Sequence, residues 1–126
     1  MFCSDIKRYT ATAVDLTATG STVLVPVQAR KWVTTSIKIH YKTVTALTVV
    51  ASASFGSNST AFDNLQAIAV VGANTAVADT IVDLTSGLLS KAVDCTTNGL
   101  TMKVTTGAVA TAASADVDVM GYWTEP

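Results

Sequence analysis

The chain has 126 residues, a formal net charge of −1 and 13% charged side chains, against an ordinary share of roughly 25%. That length suits one domain with a real core. The balance excludes a broadly basic nucleic-acid binder, and no apolar run reaches the ~20 residues that span a membrane as a helix.

Thr, Ala and Val dominate, and β-branched residues fit a pleated, half-buried surface. Mean hydropathy is +0.44. So little charge leaves few lysines and glutamates to guard sheet edges, so a partner or an oligomer is expected to cover part of the surface. Cys3 and Cys95 match no metal or redox spacing; they read either as a disulfide or, the favoured reading, as two free thiols in a reducing compartment. Asp5, Lys7 and Arg8 stand where the apolar part of a signal peptide would be.

Residues 1–8 read as an N-terminal arm and 9–126 as a single β-sandwich domain. Arg8 to Leu16 forms a loose first strand, and Thr17 to Ser21 a turn. Thr22 to Gln28 is a second strand, which Pro26 places at an edge or a bulge because it has no amide to donate. The strongest strand signal follows. Ile37, Ile39 and Tyr41 alternate with Lys38, His40 and Lys42, so a period of two puts the sets on opposite faces. Thr45 to Phe55 continues the alternation after a bend or hairpin near Thr43 to Ala46.

Leu65 to Val71 fits a short helix or a buried strand; its length and the following Gly72 favour strand. Asp79 to Leu84 and Lys91 to Thr96 are short strands. Asn98-Gly99 marks a tight turn. Leu100, Met102 and Val104 share one face of the next strand, and Ala115, Val117, Val119 and Gly121 one face of the last. About eight short strands with regular turns and no long helix predict an all-β, antiparallel β-sandwich or jelly roll.

Charge is unevenly spread. Lys7, Arg8, Arg30, Lys31, Lys38 and Lys42 face only Asp5 and Asp15 in the first 42 residues, while the remainder holds two lysines and seven acids. The asymmetry fits either a docking face or a scattered, solvated surface.

The chemistry-bearing residues are few. His40 is the only histidine; it stands on a polar strand face with no Gly-x-Ser-x-Gly elbow in the chain. Asp116 with Asp118 (i, i+2) and Asp79 with Asp83 (i, i+4) are carboxylate pairs that share a strand face, and solvated surface charge explains them more simply than a glycosidase pair. Phe62-Asp63-Asn64 with Asp79 offers oxygen ligands for Ca²⁺ or, more plainly, an Asx-capped loop. Asn58-Ser59-Thr60 fits the glycosylation pattern. Trp32, Tyr41, Tyr122 and Trp123 would make a sugar platform only if grouped on one exposed face; core or interface anchoring is their commoner role. No cofactor, metal or catalytic set is expected, and no enzyme.

Two segments carry a family resemblance. Phe55-Gly56-Ser57-Asn58 precedes Phe62-Asp63-Asn64-Leu65, and Val104-Thr105-Thr106-Gly107-Ala108 precedes Val117-Asp118-Val119-Met120-Gly121-Tyr122-Trp123. In order and composition, residues 31 to 123 resemble small virion structural proteins of tailed bacteriophages, in particular capsid decoration (cement) proteins. The resemblance implies a jelly-roll protein on the outer surface of the capsid, assembled in the host cytoplasm. Its partners would be the major capsid protein and two further copies in a homotrimer, with no nucleic acid and no membrane. Related patterns also belong to tail or fibre modules that bind receptors or carbohydrate. Position and chemistry nominate Phe2, Ile6, Lys7, Arg8, Arg30, Lys31 and Trp123 as capsid or subunit contacts.

Overall fold

The computed structural model describes residues 5–71, the backbone of 79–81, and 91–124. Within them are nine strands: β1 (Lys7–Asp15), β2 (Gly20–Val25), β3 (Lys31–Thr45), β4 (Ser52–Gly56), β5 (Gln66–Val70), β6 (Asp79–Ile81), β7 (Ala92–Asp94), β8 (Leu100–Thr106) and β9 (Ala112–Thr124). One sheet runs β1-β9-β3, and its fourth position is shared by β6 and β7, which pair with different stretches of β3. The other runs β2-β8-β4-β5.

Every pairing is antiparallel, and the pairs are nested: β1 with β9, β2 with β8, β3 with β6 and β7, β4 with β5. A long folded-back ribbon of this kind, rolled so that β9 also pairs with β3 and β8 with β4, is a jelly roll. The expected all-β sandwich is therefore observed.

Period-two patterning selects the core. Ile37, Ile39 and Tyr41 of β3, Ala115, Val117 and Val119 of β9, Leu100, Met102 and Val104 of β8, and Ala53 and Phe55 of β4 all point inward and are buried. Two aromatic pairs close one end of this core. Trp32 meets Trp123 edge-to-face at 5.0 Å between ring centroids, and Tyr9 meets Trp32 at 5.5 Å. Gly121 makes the room: a Cβ there would lie 2.1 Å from the Val33 carbonyl oxygen and 2.7 Å from the Trp32 ring.

Of the bend or hairpin expected near Thr43 to Ala46, the chain makes the bend, since β3 and β4 belong to different sheets. Ala46, at a φ of +54°, ends β3, and the chain crosses the sandwich before β4 begins at Ser52. The alternation in 46–51 reflects that crossing, with Leu47 and Ala51 buried but Val49 exposed and held by a single bridge to Val109. Gln66 to Val70 is a strand, but at the sheet's edge, with Ile68 and Val70 in solvent. Pro26 does mark an edge: β2 is outermost, carries a bulge between Val23 and Val25, and stops at Val25.

Candidate interaction surfaces

The nested pairing decides where the nominated contact residues go. β1 and β3 both lie antiparallel to β9, so both begin at the end of the sandwich where β9 finishes. Lys7 sits across from Gly121, and Gly121 across from Thr34; Lys31 sits across from Thr124. Ile6, Lys7, Arg8, Arg30 and Lys31, far apart in sequence, thus gather at one end. Ile6 is 56% exposed. Lys7 and Arg8 belong to β1 itself. Trp123 does not join this surface: its side chain is 2% exposed, and its indole N–H donates to the Tyr9 hydroxyl at 3.1 Å. Phe2 and Cys3 lie outside the described residues.

The same topology removes the charge asymmetry. Strands of the basic first third pair with strands of the acidic remainder. Arg8 bonds Asp118 at 2.9 Å, and Lys42 approaches Asp116 at 3.6 Å. Lys38 stands opposite Asp118, His40 opposite Asp116 and Asp79, and Lys31 opposite Asp94. Opposite charges directly across a ladder stabilise it modestly and support its register. Four of the six cations of that segment, Arg8, Lys31, Lys38 and Lys42, are thus set beside acids on neighbouring strands.

The carboxylates on that face are engaged structurally. Asp118 accepts from the Arg8 guanidinium and the Thr10 hydroxyl, which hold it below the usual carboxylate range. Asp116 accepts the amide of Ala13 at 2.9 Å. Ala13 has a φ of +52° and lies where the β1–β9 register shifts. Asp116 thus fastens a bulge. Asp15 and Asp94 each accept from a threonine two residues on, which lowers both. Of the other carboxylate pair, Asp79 has only its backbone described and Asp83 lies outside.

At the contact-bearing end, a polar hollow of about 320 Å³ opens between the 57–64 loop and the 94–98 turn. Its wall is an amide network. The Asn58 carboxamide oxygen accepts the amides of Asp63 (2.8 Å) and Asn64 (3.0 Å), and its NH₂ donates to Asp63 at 2.8 Å. Asn64 accepts the Ser57 amide at 2.7 Å, and Asn98 donates to the Ser57 carbonyl at 3.3 Å. Gly56 lets the two sides meet, because a Cβ there would fall 2.6 Å from the Asp63 amide nitrogen. The loop then folds over its own sheet: Lys103 donates to the Thr60 carbonyl at 2.6 Å and Ser54 to the Ala61 carbonyl at 3.1 Å. The Gly56-Ser57-Asn58 and Phe62-Asp63-Asn64 segments are thus two halves of one Asx-laced loop. The Asn58 side chain is committed to that loop in the folded state. No group of three or more His, Cys, Asp or Glu side chains suited to a metal occurs among the described residues.

The aromatic platform does not form. Trp32, Tyr41 and Trp123 are buried, and the Tyr41 hydroxyl donates to the Val71 carbonyl inside the core. Cys95 is also buried, which pushes its thiol up to about 11. Sequence reading missed the exposed valines and isoleucine: Val23, Val49, Ile68, Val70 and Val109 are each about half or more exposed. The absence of any charge from Asn64 to Ala78 was the available signal for Ile68 and Val70.

No protein-family profile matches the chain, and neither does any curated protein sequence. Among solved structures, the fold is similar to a chain of the cyanophage Pam1 capsid asymmetric unit. The superposition has a TM-score of 0.54 at 15% identity and covers 98% of this chain and 89% of that one. At that identity the likeness is one of fold, over nearly the whole of two chains of comparable length.

Proposed function

We propose that the chain is a non-enzymatic structural protein of a phage virion, a decoration (cement) protein that binds the assembled head and stabilises it. The observation that carries the reading is the jelly roll shared, almost end to end, with a chain of a cyanophage capsid. The engaged state of Asp116 and Asp118 agrees with it, since their lone pairs serve the ladder and the bulge. The partners are the major capsid protein and, in a homotrimer, two further copies; the location is the outer surface of the capsid.

The work is mechanical. A specific interface buries roughly 800 Å² on each partner. Several such contacts held in one oligomer gain by effective concentration. A protein that binds only the assembled shell stabilises that shell by mass action. Phe2, Ile6, Lys7, Arg8, Arg30 and Lys31 are the contact set, all but Phe2 placed at one end of the sandwich. Cryo-electron microscopy of the particle that carries this protein tests the reading. Density for the jelly roll on the outside of the head is expected, and density only on the tail would sink it. Removing residues 1–6 leaves β1 whole and should weaken head binding; unchanged binding would take the N-terminal segment out of the contact set.

A further inference from the structure

A sheet edge offers unpaired backbone N–H and C=O groups to any strand that can lie beside it, and folded proteins usually block it. Three of the four edge positions here are blocked. β1 carries Lys7, Arg8 and the Ala11/Val14 bulge. β2 is bulged and stops before Pro26. β6 and β7 are three residues each. β5 differs. It has five residues without a charge or a proline, and among the described residues no strand lies on its outer side. Ile68 and Val70 stand 62% and 61% exposed on it. Its pairing with β4 shifts between Ala69 and Gln66, which leaves the Ala69–Val70 end regular.

We infer that β5 is a self-association edge, at which two copies of this chain pair β5 to β5, antiparallel, about a two-fold axis through Ala69. The strand is its own complement in that register. Ile68 of each copy falls opposite Val70 of the other, giving two β-branched cross-strand pairs around a small Ala69–Ala69 centre. Residues 64–78 hold no charge, so two copies meet without repulsion, whereas a charged strand laid here would leave its charges unpaired. The four-stranded β2-β8-β4-β5 sheet becomes one of eight strands. A strand edge accepts one neighbour, so this contact closes as a pair. In a trimeric cluster it would join one cluster to the next. It does not depend on the virion reading.

Sedimentation velocity of the purified chain over a hundred-fold concentration range tests it, together with Ile68→Lys and, as a control for general stickiness, Val49→Lys. Val49 is also an exposed valine but lies off β5. Expected are a reversible doubling in mass of the species present at the lowest concentration, whether monomer or trimer, at least a ten-fold weaker doubling for Ile68→Lys, and no change for Val49→Lys. Hydrogen exchange at the β5 amides should slow as concentration rises. The inference is overturned by a parent whose mass does not double over that range, by a doubling that Ile68→Lys leaves intact, or by equal loss in both variants.

Discussion

Arg8, in the first strand, donates to Asp118, in the last, at 2.9 Å across 110 residues of chain. The bond runs diagonally across the β1–β9 pair, where Thr10 stands directly opposite Asp118 and adds its hydroxyl. It joins the basic beginning of the chain to its acidic remainder, which is the relation the nested ribbon repeats at Lys42–Asp116.

Asp118→Asn keeps the shape and removes the charge. Because Arg8 and Thr10 hold the folded carboxyl below its unfolded range, the pair's contribution is fully present above that range and disappears as pH falls through the folded value. The variant should be slightly less stable than the parent at pH 7, as exposed pairs are weak. Urea midpoints of the two should converge as pH drops below about 4. A gap that persists once the Asp118 carboxyl is protonated in the folded parent would show that the loss was steric.

Trp32 donates its indole N–H to the Thr34 hydroxyl at 2.9 Å, with both side chains fully buried. Thr34→Val preserves volume and leaves that donor unpartnered at the site where Gly121 already lets Trp32 pack tightly. The expected cost is about 1–3 kcal/mol, read from urea unfolding followed by tryptophan fluorescence.

Asn58→Ala removes three hydrogen bonds that tie Asn58 to Asp63 and Asn64. The loop over Lys103 and Ser54 should loosen, with amides of 57–64 exchanging at least ten-fold faster. Global stability should fall by roughly 1–3 kcal/mol, since two backbone amides lose their acceptor. Asn58→Asp retains the acceptor oxygen but replaces the donor that faces Asp63 at 2.8 Å with a second carboxylate, so it should not restore the loop at pH 7.

Cys95 is fully buried, and its thiol is pushed up to about 11. In a Cys3→Ser background, alkylation at pH 8 should be negligible in the native protein and complete after denaturation. The thiol becomes reactive in step with unfolding, which makes it a probe of global stability. Fast labelling under native conditions would contradict its place in the core.

Much of the fold was legible because its signals are local. Ile37/Ile39/Tyr41 against Lys38/His40/Lys42, Leu100/Met102/Val104 and the Ala115–Val119 series each state which face is buried, and the sandwich obeys them. Pro26 announced an edge because a missing amide is a property of one residue. The candidate site was less legible. Trp123 reads equally as a core or an interface anchor until Tyr9 and Trp32, both remote in sequence, are seen to pack against it. Val49 alternates correctly with its neighbours yet faces solvent, since the chain is crossing between sheets there and no second layer covers it.

The sequence by itself determined the class of structure, the inward faces of its main strands and the turn chemistry at Asn58 and Asn98. These follow from side-chain period and residue type, which act over a few positions. Only the tertiary structure decided what the charges do. Six cations in the first 42 residues are a basic segment along the chain, but β9 lies between β1 and β3 and brings Asp116 and Asp118 against three of them, Arg8, Lys38 and Lys42. Strand order is set by non-local pairing, which no local pattern encodes. That order set part of the basic segment into cross-strand pairs and, among the described residues, left β5 as the strand edge without a guard.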